Sequence, residues 1–280
     1  MSVSKYGFTK MDANEFKTWI TKQSKTGFNG IQVHHTWSPS YSNFYKADGT
    51  HEDELKRQNN MKYFHVNSNG WSDIAQHFTI FPNGVIVTGR KLTSTTAIGI
   101  KGWNTNKICI EMYGNFDKGK DIMTEEQRRA MIVVYGELCK HYKITPSLDT
   151  IRLHAWFTSG GRYIGTYDKT ISAKTCPGTN FMGIGNTKEA IRDQFIPLIK
   201  NYIKCGECAT KPTTTPSTTK DYKVRVTATS LNVRKGPGTS YSVTTTVKKG
   251  EVYTIVETKN NWGKLKSGAG WISLAYTEKI

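Results

Sequence analysis

Between residues 209 and 221 the chain reads ATKPTTTPSTTKD, a run of Thr and Pro without one large apolar side chain. Such a segment buries too little surface to offset the entropy of ordering it, so it reads as a linker. It forces the 280 residues to fold as two pieces, one moderate and one small. On its N-terminal side, short apolar runs alternate with stretches of helical spacing, which implies α/β layers. On its C-terminal side, short β-rich runs from Ser230 to Ile272 are separated by turn residues, with no helical period. The boundaries expected are 1–204 for the first domain, 205–221 for the linker and 222–280 for the second domain.

Within the first domain, Thr9 to Gln23 places Phe16, Trp19 and Ile20 at helical spacing, with Thr9 and Asp12 resembling a capping box. Gly27-Phe28-Asn29-Gly30 supplies turn residues before a strand from Ile31. Glu52 to Tyr63 reads as a helix with acids first and bases last. Two β-rich runs around Pro82-Asn83-Gly84 form a hairpin. Ile108 to Gly114 is the nearly continuous apolar run of a central strand, interrupted by Glu111. Thr124 to Gln127 reads as a capping box opening a helix with a stripe of Met131, Val134, Tyr135, Leu138 and Tyr142. A last helix spans about Thr187 to Ile203, where Pro197 predicts a kink.

The chemistry is concentrated at strand ends. His154 follows the strand Ile151-Arg152-Leu153, and Cys176 lies a loop away in Lys174-Thr175-Cys176-Pro177. An imidazole and a thiolate are two of the ligand types that hold zinc. The third ligand is expected at the tip of Ile31-Gln32-Val33-His34-His35. Strand alternation sends Ile31, Val33 and His35 to one face and Gln32, His34 and Thr36 to the other, so His34 points to polar space. Three protein ligands leave a fourth position for water. Glu111 reads either as half of a buried ion pair or as a base beside that water. Lys174 reads as a surface lysine or as a cation facing the reaction. His77 is expected to be structural, not a fourth ligand, and His51, His65 and His141 to be surface residues.

The net charge of +17 draws the chain to polyanions. Nucleic acid is disfavoured by the absence of zinc-finger spacing, basic helices or aromatic RNA-binding signatures. Residues 222–280 alone carry ten basic against three acidic side chains. Anionic wall polymers and acidic lipids account for the charge equally well. The five cysteines form no disulfide framework. Cys109 and Cys139 are expected as small buried hydrophobes, and Cys205 and Cys208 as a local disulfide or free thiols. No apolar run reaches membrane-spanning length, and the opening residues lack a secretory signal.

The motifs VHHTWSP, DIAQHFTIFPNG, ICIEMYGNFD and KTCPG occur here in an order that resembles the zinc N-acetylmuramoyl-L-alanine amidases related to phage lysozymes and peptidoglycan-recognition proteins. The resemblance covers about the first two-thirds of the chain. It implies a central mixed β-sheet flanked by helices and a Zn2+ ion on His34, His154 and Cys176. It also implies Glu111 as catalytic base, Lys174 as catalytic cation, and peptidoglycan as substrate. Gln76 departs from the family, many of whose members carry Tyr there. LNVRKGPG, NNWGKL and GWI resemble a bacterial Src-homology-3-like barrel, a module that binds cell walls. A chain of this kind is expected to be made in the host cytoplasm and released to the wall by another agent. The alternatives are a recognition protein that binds without cleaving, whose members typically lack the Cys ligand, and a bacterial autolysin of the same activity.

Overall fold

A computed structural model of the chain describes residues 2–25, 27–93, 99–206, 221–238, 241–259 and 262–280. It divides into units of residues 1–210 and 211–280. Most of the expected linker, and Cys208 with it, lies outside the described residues. Cys205 is an exposed free thiol at the end of the last helix of the first unit, so that helix runs one residue into the segment assigned to the linker.

The first unit begins with β1 (Val3–Lys5) and β2 (Phe8–Met11) before α1 (Ala13–Ile20). Thr9 is not the cap expected of it. It belongs to β2, where its N–H donates to Thr88 Oγ1 at 2.9 Å. The cap is Asp12, whose Oδ1 accepts from the backbone of Asn14 and Glu15 while Glu15 accepts from the Asp12 N–H. Next comes β3 (Gly30–His35). Gly27 takes the positive φ of the preceding turn. Gly30 is needed for another reason, since a Cβ there would press on the Lys107 side chain and the Thr150 carbonyl.

The remaining elements are α2 (Glu54–Tyr63), β4 (Phe78–Ile80), β5 (Ile86–Thr88), β6 (Lys107–Met112), α3 (Glu125–Tyr142) and β7 (Ile151–Leu153). Helical segments close the unit: α4 (Lys188–Ala190), a π-wound turn Ile191–Phe195 and α5 (Ile196–Cys205). Pro197 sits in the first turn of α5, where it needs no helical N–H partner, and the irregular turn ahead of it takes the place of the expected kink. Thr124 caps α3 as expected, but Gln127 does not return the bond. Its amide instead donates to the Ile80 and Tyr113 carbonyls, tying the helix to the sheet.

The seven strands pair in the order β1-β2-β5-β4-β6-β3-β7. β4, β6, β3 and β7 run parallel and the rest antiparallel, so the sheet is mixed. In the parallel half, Ile31, Val33, Ile108, Ile110, Ile151 and Leu153 join one core with Phe16 and Ile20 of α1, Met131, Val134, Tyr135 and Leu138 of α3, and Ile196 and Ile199 of α5. The alternate residues face the other way. Thr79, Glu111 and His34 lie side by side in register, and Cys109, Gln32 and Arg152 form the row behind them. That polar face, at the strands' C-terminal ends, is where open α/β sheets bind ligands.

In the second unit seven strands form one all-antiparallel sheet in the order β10-β9-β13-β12-β11-β8-β14: β8 (Tyr222–Val226), β9 (Ser230–Arg234), β10 (Val243–Lys248), β11 (Val252–Lys259), β12 (Trp262–Leu265), β13 (Trp271–Ser273) and β14 (Thr277–Lys279). Alternating residues of these strands, among them Val224, Val226, Leu231, Val233, Ile255 and Ile272, make its core. Among the described residues, no helix is long and apolar enough to cross a membrane.

Candidate metal centre

His34, His154 and Cys176 are 142 residues apart at the extremes, yet each offers a ligand atom within 4.8 Å of the others. Three elements bring them together. His34 is carried by β3, between β6 and β7, to the C-terminal end of the strands. His154 follows β7 directly, at the start of a short 3-10 turn, His154–Trp156. Cys176 arrives on a loop that is stitched to that turn: the Ala155 N–H donates to the Cys176 carbonyl at 2.7 Å and Ser172 Oγ donates to the Ala155 carbonyl at 2.6 Å. Asp117 holds the loop from the other side, accepting from Thr175 Oγ1 at 3.0 Å and from the Thr179 N–H at 3.0 Å.

Cys176 Sγ lies 3.5 Å from His34 Nδ1 and accepts from the His35 backbone N–H at 3.4 Å. The imidazoles of His34 and His154 meet edge to face at 5.1 Å. Burial holds His34 well below the ordinary imidazole range and brings His154 to about 4, with nearby positive charge, Lys174 included, adding to the effect. Burial pushes the Cys176 thiol up to about 12, partly opposed by the His35 N–H. Two imidazoles and a thiol thus bring their donor atoms to one point. This donor set, two N and one S with no further protein ligand among the described residues, fits a tetrahedral divalent ion with one open position.

Glu111 stands opposite His34 in the parallel register of β6 and β3, and both line a cavity of about 480 Å³. Burial raises its carboxyl to about 7, with the Lys174 charge pulling it down. Lys174 is exposed at the cavity's mouth. The structure therefore gathers all five expected site residues around one cavity. His35, as expected, is a hydrogen-bonded neighbour, accepting at Nδ1 from the Phe116 N–H at 3.1 Å. His77 is fully buried, and its Nδ1 accepts from the Cys109 N–H at 3.0 Å, away from the cluster.

Other expectations need correction. His65 is half-buried and lines the cavity, where it stacks near Trp71 and accepts from the Ala75 N–H. His141 is half-buried against Tyr142, and of the three only His51 is exposed. Cys109 is buried as foreseen but faces the cavity, not the apolar core. Gln76 is fully buried, its Nε2 donating to Thr79 Oγ1 at 2.8 Å, next to Glu111 in the strand row. Sequence reasoning passed over the cavity's aromatic rim: Trp37, Phe64 and Trp71. Trp37 is 60% exposed and holds a left-handed φ of 57°, uncommon for a bulky residue. Its place two residues after the histidine pair was the available signal.

Residues 24–179 match the family model described as N-acetylmuramoyl-L-alanine amidase, and residues 229–278 match that of a bacterial SH3 domain. Among characterised sequences, the chain is 48% identical over 40 residues to YrvJ of Bacillus subtilis, a candidate N-acetylmuramoyl-L-alanine amidase; this covers 14% of the chain and 8% of that protein. It is 31% identical over 61 residues to peptidoglycan recognition protein 1 of Bos taurus, covering 22% of the chain and 32% of that protein. The matches thus span less than a third of either relative's length. Among solved structures, the endolysin amidase LysCS of Clostridium intestinale is similar at 24% identity and a TM-score of 0.38, over 56% of this chain and 78% of that one.

Proposed function

Because the chain belongs to the N-acetylmuramoyl-L-alanine amidase family, matched over residues 24–179, we propose that it hydrolyses the amide between the lactyl group of N-acetylmuramic acid and the L-alanine of the stem peptide. The observation that carries this reading is the convergence of His34, His154 and Cys176 at the floor of a cavity shared with Glu111 and Lys174. Those three residues would hold Zn2+, which when bound supplies a Lewis acid and an acidified water.

The chain's own residues supply the rest. Glu111 accepts the proton of the attacking water as its oxygen bonds to the amide carbon. It then delivers that proton to the nitrogen as the C–N bond breaks, because an amide anion is a very poor leaving group. The products are a lactyl carboxylate and a free L-alanine amine. Lys174, at the mouth, faces the oxyanion of the tetrahedral intermediate with a positive charge. The His35 N–H holds the Cys176 sulfur in place. The exposed rings of Trp37 and Phe64 give the sugar and peptide flat apolar surfaces to lie against.

A recognition protein that binds walls without cleaving them is the rival reading. The presence of Cys176 and Glu111 favours the enzyme. In the second unit, the SH3 match together with the basic excess supports a wall-binding role, with anionic wall polymers adding electrostatic attraction. The test is mass spectrometry of digested walls. Stem peptides released with a free L-alanine amine support the amidase; new reducing sugars, or bound but intact walls, exclude it.

A further inference from the structure

Gln32 is fully buried beneath His34, a polar side chain where a central strand ordinarily carries an apolar one. Its bonding is fixed in direction by backbone groups. The N–H groups of Gly99 and Ile100 donate to Asn104 Oδ1 at 3.1 and 2.8 Å, which settles which end of that amide faces them. The same oxygen accepts from Gln32 Nε2 at 3.0 Å, and the Trp103 carbonyl accepts from Nε2 at 2.6 Å. The NH2 end of Gln32 is thereby committed to two acceptors, because turning the amide over would set its oxygen against both. Gln32 Oε1 is left facing His34 Nε2 at 3.2 Å. An amide oxygen can only accept, so His34 carries its proton on Nε2. The bare lone pair is then on Nδ1, the atom 3.5 Å from Cys176 Sγ.

We infer that Gln32 is a positioning residue for the metal centre: with Asn104 and Trp103 it locks His34 in the Nε2–H tautomer and aims Nδ1 at the ligand cluster. Gly99 protects this bond. A Cβ there would clash with Gln32 Oε1 and press on His34 Nε2 at 3.0 Å and Cys109 Sγ at 3.1 Å. The inference rests on the reading of His34, His154 and Cys176 as a metal site. Outer partners of ligating histidines fix ring orientation and raise ligand basicity, and losing one typically costs about 10–100-fold in metal affinity.

The test uses the full chain as wild type, Gln32→Met and Gly99→Ala. The His34 tautomer is read from long-range proton–nitrogen correlation spectra of the metal-free protein, and zinc affinity from competition with a chromophoric chelator. Met conserves the volume of Gln and removes its amide. It is expected to release the tautomer preference and to weaken zinc binding about 10–100-fold. Gly99→Ala, which leaves Gln32 intact, is expected to act in the same direction as Gln32→Met. A merely structural role would lower the melting temperature and leave tautomer and affinity alone. If the wild type takes up no zinc, the metal reading itself falls. If it takes up zinc and Gln32→Met and Gly99→Ala match it in both readouts, the role of Gln32 alone is overturned.

Discussion

At the scale of single residues, Glu111 and Cys176 are separable. Cys176→Ser removes the sulfur from a three-ligand set, so zinc content and wall lysis are expected to vanish together, as measured by elemental analysis and turbidity. Glu111→Gln leaves the ligands in place. It is expected to keep about one zinc and to lose roughly 10²–10⁴-fold in turnover, the range of a general acid–base group. The same substitution has a signature without metal. Burial raises the Glu111 carboxyl to about 7 in the folded chain, above its ordinary value of 4.5. The folded state therefore binds the extra proton, and stability is lost as pH rises through that interval. In chelator-treated protein, Glu111→Gln is expected to be the more stable form at pH 8, by on the order of 3 kcal/mol, and to lose that advantage at pH 4. Urea titrations at the two pH values decide it; an advantage that does not change with pH would show that Glu111 is not held neutral by burial.

At the scale of elements, α3 and α5 show how local preference gives way to packing. Gly136 lies in the middle of α3, where Ala would ordinarily gain about 1 kcal/mol of helix propensity. Here a Cβ would overlap the ring of Tyr202 on α5, whose hydroxyl donates to Glu137 Oε1 at 2.6 Å. Gly136→Ala is expected to destabilise the first unit by about 1–3 kcal/mol, the range of overpacked cores, with thermal unfolding as the check. Strand alternation made part of this sheet legible beforehand: His34 could be assigned to the polar face because side chains reverse at every residue, whereas the place of Glu111 beside it follows from the register of β6 on β3. The capping of α1 by Asp12 was less legible, since Thr9 and Asp12 are both good caps and only the pairing of β2 removes Thr9 from the choice.

At the scale of the whole molecule, each unit has its own core, so residues 1–206 are expected to keep their zinc content and melting transition when the second unit is removed. Cosedimentation with walls is expected to fall in that truncated form. In the intact chain, binding is expected to weaken as salt rises from about 50 to 300 mM, because screening shortens the reach of the basic excess on residues 222–280. Salt-independent binding of the intact chain would remove anionic polymers as partners and leave short-range contacts alone.

Glu111 and Lys174 were singled out through the resemblance of their motifs to a known family; the sequence by itself determined the two-piece organisation, the α/β and all-β patterns, and His34, His154 and Cys176 as candidate ligands. Those depend on composition, on periodicity and on residue types confined to strand ends, all of which are local along the chain. Only the tertiary structure decided that Asp117 pins the Cys176 loop and that His65 belongs to the cavity. It alone shows that the Gly99 and Ile100 backbone, through Asn104 and Gln32, sets the proton on His34. These are contacts between segments distant along the chain, 58 residues from Asp117 to Thr175 and 72 from Gln32 to Asn104, or hydrogen bonds whose direction depends on a partner's partner. No spacing in the sequence encodes them, because they exist only once the strands are in register.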